Sequence, residues 1–439
     1  MSIIITLLML VWLIRFVQNK SIDSLFYSLF LFPPAIIVLR WPIEFSAKRW
    51  IALALLLVVF HKNRFSQVRS FPIKWAIILM FLESCILILP DGRFDMMHRL
   101  LYPLMDALDI YLPLLLGFAF VFICKNRYNS LLRPITICCL IVEIYGIFNL
   151  ITGLNPVEII INNVYSLRGF FYTGNEERAI TKSLYRYSFD FGYNSALFAL
   201  LFIFFYFTQK KYFSSIHWIA LGLSLLGIFI CGSRTVIVAF AASISIFIFF
   251  LKSGKTKYTI IASGIILLVG LFLFVPAVTN IITVTINSIL GRGDITGSST
   301  DMRLDQLSGS LYYMLKNPIW GNGFKYIYID LDWQNHTKID GMAGYESLLF
   351  VLMIERGLIG IITYGIFFVS IIFYFLKYCF KHIMEAVLGL SIIVLFLFFS
   401  LLTGALDAWL NTMVLCGYLI ANIVELKKKA MKTLTVDRM

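Results

Sequence analysis

The sequence predicts an all-α polytopic membrane protein that forms a single integral membrane domain over residues 1–439. Hydrophobic residues make up 60% of the chain and charged residues only 14%, whereas soluble domains carry about a quarter charged residues. The apolar stretches are continuous, as in 214–231 and 258–277, and lack the alternation that transmembrane β-strands require. We therefore expect about twelve to thirteen transmembrane helices.

Thirteen apolar segments approach the length needed to cross a hydrocarbon core of about 30 Å. In chain order they are 2–17, 22–39, 50–60, 73–90, 104–124, 134–152, 191–208, 214–231, 235–251, 258–277, 358–376, 384–402 and 408–424. The first and third are short, which leaves the count uncertain by one. The first also lacks a basic start and a small-residue cleavage site, so we expect a retained helix rather than a signal peptide.

The basic residues predict the orientation of the helices. Eighteen Lys and Arg, and no acidic residue, fall in six connections: 61–74, 125–133, 209–212, 252–257, 377–382 and 427–432. Basic connections face the cytoplasm, so the C-terminus is expected there and the alternate connections face outward. Two outward loops are long, at 153–190 and 278–357. The net charge of +13 is therefore a topology signal, and we expect no nucleic-acid partner.

The second outward loop is expected to contain short amphipathic, interfacial helices. Thr300-Asp301 is a helix start, and leucines recur at helical spacing until Asn317-Pro318, which predicts a helix over 301–316 with Arg303, Gln306 and Ser310 on another face. A continuous helix over 346–376 would exceed the bilayer core. We expect a break at 355–357 that separates an interfacial segment from a spanning one.

Three arginines are candidate anion ligands on the outer side. Arg234 lies in a short turn between apolar helices, where a guanidinium can grip a phosphate through two bonds; the alternative is an interfacial anchor or a salt bridge. Arg303 is presented by the amphipathic helix, and with Arg234 it can bracket a pyrophosphate and stabilise its charge; otherwise it belongs to an ordinary solvated face. Arg186, from the first long loop, is the third candidate.

Acidic and histidine side chains supply candidates for proton transfer. Glu346 begins a helical segment beside the membrane surface and can act as a general base, or it is a charge favoured by the helix dipole. His336 lies in a polar loop and is a weaker candidate. Glu83, Glu143 and Asp407 fall in or near apolar spans, so each must be neutral, paired or directed into a polar cavity.

Four short motifs follow one another between residues 184 and 363. They are Ser233-Arg234-Thr235, the pair Arg303 and Leu307, the run N-P-I-W-G-N-G-F at 317–324, and Glu346-Ser347 followed by E-R-G-L-I-G at 355–360. Their order and outward placement resemble the O-antigen polymerase (Wzy) and ligase superfamily. Ligases of that family typically carry His-Asn where this chain has Glu346-Ser347, so the resemblance favours a polymerase and transfers the role of base to Glu346.

The resemblance implies an integral-membrane glycosyltransferase of the bacterial inner membrane that joins undecaprenyl-pyrophosphate-linked repeat units at the periplasmic face. It implies Glu346, Arg234 and Arg303 as catalytic residues, with no metal and no cofactor. The expected substrate-binding residues are Arg186, Asn194, Ser233, Asp301, His336 and Tyr345. Expected partners are the lipid-linked glycans, membrane lipids, a chain-length regulator and a flippase.

Two other functions remain open. A ligase would transfer finished polymer to lipid A core, and it differs from a polymerase in the glycan that accumulates when the protein is lost. A lipid-linked oligosaccharide flippase would also have about twelve helices, but transporters usually show internal repeats and midplane charges rather than two long outward loops. A scaffold protein is a more distant alternative.

Overall fold

The computed structural model describes residues 2–19, 21–39, 44–61, 68–124, 131–165, 181–252, 254, 257–258, 300–331, 345, 347–403 and 407–436. Nearly all of these are helical. The principal helices are α1 (Ser2–Asn19), α2 (Ile22–Leu31), α3 (Ala47–His61), α4 (Lys74–Ile88), α5 (Met96–Asp109), α6 (Leu112–Val121), α7 (Leu132–Thr152), α8 (Pro156–Tyr165), α9 (Ser188–Thr208), α10 (Ser215–Ile230), α11 (Arg234–Phe250), α12 (Thr300–Lys316), α13 (Tyr326–Ile329), α14 (Leu348–Cys379), α15 (Met384–Thr403) and α16 (Trp409–Val436).

The all-α polytopic architecture expected from the sequence is confirmed. Among the described residues, five helices are long and apolar enough to cross a membrane: α7, α9, α14, α15 and α16. The bent pair α5 and α6 adds a sixth if it is one span, and four shorter apolar helices lie in α1, α2, α10 and α11. The predicted span at 258–277 falls almost entirely outside the described residues.

Two predicted spans are wrong in their extent. The expected span at 22–39 ends at Leu31, before two consecutive prolines, and Ile37–Leu39 instead forms a strand β1 that pairs antiparallel with strand β2, Phe45–Ser46. The expected span at 104–124 is broken into α5 and α6, which are bent by 55°. Pro113 explains this break, because it cannot donate to the carbonyl of Asp109 and its ring would collide with that carbonyl.

The break predicted in the long helix near residue 357 is confirmed. Gly357 has φ 59° and ψ −154°, so α14 consists of two helical pieces that meet at a kink. A helix of 32 residues would be about 48 Å long if straight, well beyond the bilayer core of about 30 Å. Because of the kink, the first helical piece need not be collinear with the spanning piece.

Contacts between helices bring several helix ends together at one end of the bundle. The side-chain amide of Asn411, in α16, donates to Asn194, in α9, over 2.8 Å. A Cβ on Gly192 would collide with Cys231, which ends α10, so the turn leading into α11 packs on the first turns of α9. We call this end of the bundle, where α9, α11 and α16 begin, the polar end.

Candidate functional site

The loop at 317–325 is fastened to the kink of α14 by backbone hydrogen bonds. The backbone N–H groups of Leu358 and Ile359, just after the kink, donate to the carbonyls of Pro318 and Ile319 over 2.9 and 3.1 Å. In the other direction, Asn322 donates its N–H to the Ile354 carbonyl over 2.9 Å. We call the paired segments 317–325 and 354–360 the junction. The kink leaves helical carbonyls and N–H groups without their usual partners, and the junction supplies new ones.

Two glycines make this close approach possible. Gly321 has φ 72° and Gly357 has φ 59°, a region of backbone conformation that glycine adopts without steric cost. A Cβ on Gly357 would lie 2.5 Å from the backbone nitrogen of Gly321, and a Cβ on Gly321 would collide with the backbone at 355–356. These two glycines, which both belong to the sequence motifs, therefore allow the backbones of the two junction segments to pack against each other.

Glu355 is a buried carboxylate that accepts backbone hydrogen bonds in the junction. It is 6% exposed, and its Oε1 accepts the backbone N–H of Ile327 over 3.4 Å as well as a backbone hydrogen bond from Lys325. Lys325 has φ 58°, and alternating right- and left-handed backbone of this kind directs successive N–H groups at an anion. The carboxylate thus holds the loop that leads into α13.

The neighbouring Arg356 carries a buried ion network that joins three helices. Its Nη1 lies 2.6 Å from Oε2 of Glu83 in α4, and its Nη2 lies 2.6 Å from Oδ1 of Asp106 in α5. Ser84 donates to the other oxygen of Asp106 over 2.5 Å. Arg356 is 4% exposed and its two acids 5% and 4%, so a single guanidinium binds two carboxyl groups away from water. Glu83 is therefore paired, which is one of the three possibilities that the sequence left open.

A second group of charges lies at the polar end. Lys48 donates to the backbone carbonyl of Asp407 and lies 3.7 Å from its carboxylate, so Asp407 is paired, one of the three possibilities that the sequence left open. Asp190 is 2% exposed and faces the charges of Asp407, Lys48 and Arg186. The guanidinium of Arg186 stacks 5.0 Å from the ring of Tyr187. Arg186 is thus placed among charges drawn from three separate parts of the chain.

The turn that carries Arg234 lies against this group. Gly232 has φ 69°, and the backbone N–H of Ser233 contacts the sulfur of the buried Cys231 over 3.4 Å. Because Cys231 packs on Gly192, two residues beyond Asp190, the turn sits beside the first turn of α9. Arg234 and Ser233 therefore enter α11 at the polar end, near the charges that surround Asp190.

Asn194 has a different place from the one expected for a substrate ligand. Its side chain is 2% exposed, donates to the Asp190 carbonyl over 2.8 Å and accepts from Asn411 over 2.8 Å. It therefore ties α9 to α16 and supports the site from within the bundle.

Glu143 lies deeper in the bundle than these residues. It is fully buried in α7, beside Gly227.

The helix that carries Arg303 packs with its polar face towards the protein. Gln306 and Ser310 are fully buried, whereas Leu304 and Leu311 are 58% and 45% exposed, and α12 packs on α14. Arg303 is half-buried on this helix. The predicted amphipathic helix is confirmed, with its apolar face outward.

Tyr345 precedes α14 and is buried in a small apolar cluster with Ile327, Leu331 and Ile354. Burial raises the pKa of the Tyr345 phenol, and its hydroxyl has no hydrogen-bond partner among the described residues. Ser347 caps α14 by accepting the N–H of Leu349 over 3.2 Å. These residues flank Glu346, which lies outside the described residues.

The side chains of two other expected substrate ligands are not among those that the structure describes. His336 lies outside the described residues, and only the backbone of Asp301 is described. Within the described ranges, no group of three His, Cys, Asp or Glu side chains is placed to hold a metal ion.

Sequence reasoning missed Lys48, Arg49, Asp106, Asp109 and Lys325 as polar-end or junction residues. In the sequence these five residues are recognisable only as charged residues near the ends of apolar segments. The sequence does not show which of them form ion pairs with one another.

The fold and the site define a polytopic helical membrane protein whose motif residues assemble a rigid junction beside a cation-rich end of the bundle. Residues 219–365 match the Wzy_C family model, which is described as O-antigen ligase. The match covers the Arg234 turn, α12 and the junction, and it supports the O-antigen ligase and polymerase superfamily that the motifs indicated. Members of that family are membrane glycosyltransferase-like enzymes of the ligase or polymerase type, and the family implies lipid-linked glycan substrates. No curated protein gives a significant match to the chain.

Proposed function

We propose that the protein polymerises undecaprenyl-pyrophosphate-linked oligosaccharide repeat units into O-antigen or a related surface polysaccharide. The observation that carries the proposal is the junction, in which the matched motifs fix the kink of α14, the helix that follows Glu346. Tyr345 and Ser347 are held on either side of Glu346, and Tyr345 packs in the same cluster as Tyr313 of α12, the helix that bears Arg303. Rigid support of this kind is what a catalytic group needs for orientation.

The proposed reaction is one glycosyl transfer. Glu346 takes the proton from an acceptor sugar hydroxyl, whose oxygen attacks the anomeric carbon of the growing chain. The bond between that carbon and the pyrophosphate oxygen breaks, and the lipid pyrophosphate leaves with the electron pair. Arg234 and Arg303 stabilise the charge on the leaving group, and no nucleotide is consumed.

The remaining expected residues have supporting roles in this proposal. Arg186 and Ser233 contact the substrate at the polar end, and Asp301, His336 and Tyr345 contact it from the second long loop. Asn194 positions α9. The 153–190 and 278–357 segments are periplasmic loops, the C-terminus is cytoplasmic, and the enzyme works in the inner membrane with a flippase and a chain-length regulator.

Glycan profiling of a deletion strain tests this function. The strain is complemented with wild type, Glu346→Gln or Arg234→Ala, after each variant is shown to reach the membrane. We expect single repeat units to remain on the acceptor lipid or core in both variants. Glu385→Gln and Arg133→Ala, at the other end of α15 and α7, are matched controls that should keep long polymer. Long polymer in the Glu346 and Arg234 variants would reject the assigned site.

A ligase is the second candidate, because the matched family model carries that description. The Glu346-Ser347 pair, in place of the His-Asn typical of ligases, argues against it. The same experiment separates the two: accumulation of long polymer on the carrier lipid, without transfer to core, identifies a ligase. Unaltered function after substitutions throughout 278–345 would instead favour a flippase.

A further inference from the structure

A surface cleft lies between the first turns of α7 and α10. Its volume is about 340 Å³. Most of its wall is apolar and is formed by Leu132, Ile137, Leu140 and Ile216. The side chains of Arg133, Tyr212 and His217 also line it. The cleft therefore combines an apolar interior with polar groups.

The contacts between α7 and α10 show at which end of the bundle the cleft lies. The thiol of Cys139 donates to the Ala220 carbonyl over 3.4 Å. Further along, a Cβ on Gly227 would collide with the Glu143 carboxylate, so the two helices run in the same direction. Because α10 ends at Cys231, which belongs to the polar end, the cleft lies at the opposite end of the bundle.

The rim of the cleft carries positive charge. Arg133 is exposed, and in the part of the chain that the structure describes no carboxylate lies within ion-pair distance of its guanidinium. Asp23 of α2 acts on Arg133 only at longer range. Lys210 and Lys211 are exposed and directly precede Tyr212, which lines the cleft. An anion at the rim would thus meet cations from two connections.

His217 adds a hydrogen-bond donor to the same wall. Its Nδ1 accepts the backbone N–H of Ser214 over 2.8 Å, so the neutral ring carries its hydrogen on Nε2. The capping interaction at the start of α10 therefore fixes both the orientation and the tautomer of this side chain.

Aromatic side chains place the cleft at the boundary of the membrane. Tyr212 and Trp218 are 54% and 51% exposed, and the ring centroid of Trp218 lies 5.1 Å from that of Tyr206 and 5.2 Å from that of Phe213. Tyrosine and tryptophan are enriched where the hydrocarbon core meets water. The rim of the cleft is thus expected at the level of the lipid headgroups.

From this level the apolar surface continues along both helices towards the middle of the membrane. Ile144 of α7 and Ile219 of α10 are 57% and 58% exposed. Acyl chains cover surface of this kind in a bilayer, and basic pockets between spanning helices accept the headgroups of anionic lipids. A guanidinium can bind a phosphate through two N–H groups at once.

We propose that the cleft binds one anionic phospholipid, with its phosphate at Arg133 and one acyl chain along α7 and α10. A zwitterionic phospholipid has the same chains and a phosphate, but its own ammonium offsets the phosphate charge, so the cationic rim favours the anionic lipid. The inference does not rest on the proposed function, because the cleft lies at the other end of the bundle and Arg133 takes no part in the glycosyl transfer.

Native mass spectrometry of the full-length protein, titrated with lipid in detergent, tests the cleft. The probes are dioleoyl phosphatidylglycerol, dioleoyl phosphatidylcholine and glycerol phosphate, which is the headgroup without chains. Arg133→Gln removes the charge, Arg133→Lys keeps it, and Ile137→Trp narrows the cleft without changing charge. The matched control is Lys74→Gln, since Lys74 is exposed and lies 5.8 Å from the exposed ring of Trp75 but does not line the cleft.

We expect Arg133→Gln to weaken binding of the first phosphatidylglycerol by about 5- to 10-fold, the effect of one basic residue near an anionic headgroup. Phosphatidylcholine binding should change by less than about twofold, because its net charge is zero. Arg133→Lys and Lys74→Gln should bind phosphatidylglycerol nearly as wild type does, whereas Ile137→Trp should weaken it.

Three results would overturn the proposal. Unchanged phosphatidylglycerol affinity in Arg133→Gln, or an equal loss in Lys74→Gln, would show that the cleft does not select the headgroup. Unchanged affinity in Ile137→Trp would show that no acyl chain enters it. Displacement of phosphatidylglycerol by glycerol phosphate at similar concentration would assign the cleft to soluble phosphates and reject the lipid.

Discussion

Arg356 shows how a single residue organises the surroundings of the site. Its guanidinium joins a carboxylate of α4 to one of α5, and its backbone belongs to the junction. Removal of one partner from a buried ion network costs about 3–5 kcal/mol, because the charges that remain have lost their solvation and their counter-ion. Arg356 therefore fastens the kink of α14 to two neighbouring helices.

Replacement of Arg356 by Gln should destabilise the protein strongly. Glu83 and Asp106 would remain buried and unpaired, and we expect a loss of about 3–5 kcal/mol of unfolding free energy. Arg93→Gln is the matched control, since Arg93 also bridges two carboxylates, those of Asp91 and Asp330, but with a side chain that is 28% exposed. It should cost less than about 1 kcal/mol. Thermal unfolding in detergent measures both, and equal midpoints would contradict the assignment.

At the scale of the element, α14 is divided into two pieces with different surroundings. The first piece is held by the loop at 317–325, and the second packs on α15, where the rings of Phe368 and Phe396 are 5.9 Å apart. The division depends on Gly357, where positive φ and a close backbone contact coincide. The neighbouring α12 also has two faces with different surroundings. Its Gln306 and Ser310 are buried against the protein, whereas its leucines face outward.

Alanine substitutions at two glycines of α14 should have opposite effects. Gly357→Ala should lower stability by at least about 1–3 kcal/mol, because a side chain disfavours positive φ and its Cβ would lie 2.5 Å from the Gly321 nitrogen. Gly365→Ala, where nothing lies within 4 Å of an added Cβ, should stabilise the helix by up to about 1 kcal/mol. Unfolding midpoints of the two variants provide the measurement. A neutral Gly357→Ala would show that the kink is not required.

At the scale of the whole molecule, the two ends of the bundle differ in charge. The polar end combines Lys48, Arg49 and Arg186 with acids that partly balance them. In the sequence, basic connections without acids follow the far ends of α9, α11 and α14, the distribution expected on the cytoplasmic side. The proposed chemistry requires the polar end to face the periplasm, where the lipid-linked repeat units are joined.

Cysteine labelling in intact spheroplasts tests this orientation. Met96, 77% exposed at the start of α5, lies beside the expected outer connection, and Lys252 lies in an expected inner one. In a Cys85→Ser background, which removes the one native cysteine that is not buried, a membrane-impermeant maleimide should label Met96→Cys. Lys252→Cys should react only after the membrane is opened. The reverse pattern would place the polar end in the cytoplasm and refute the proposed location.

Much of the helical framework was predictable from local pattern. The helix at 300–316, the break at Gly357 and the spans over α7, α9 and α15 follow from hydrophobic runs, caps and the bilayer thickness. The errors at α2 and at α5 and α6 came from prolines within apolar segments, whose effect on the backbone outweighs hydrophobicity. For the candidate site, motif order pointed to the Arg234 turn, Arg303 and the junction segments, and the acids at 83 and 407 are paired, one of the three possibilities that the sequence left open.

The sequence by itself determined that this is a polytopic helical membrane protein and in which order its motif residues follow one another. Both conclusions rest on composition and spacing, which are local properties of the chain. Only the tertiary structure decided that Arg356 binds both Glu83 and Asp106, and that Glu355 accepts backbone hydrogen bonds in the junction. Arg356 and Glu83 are separated by 273 residues of sequence. A long-range electrostatic pairing depends on which helices pack together, and no local pattern encodes it.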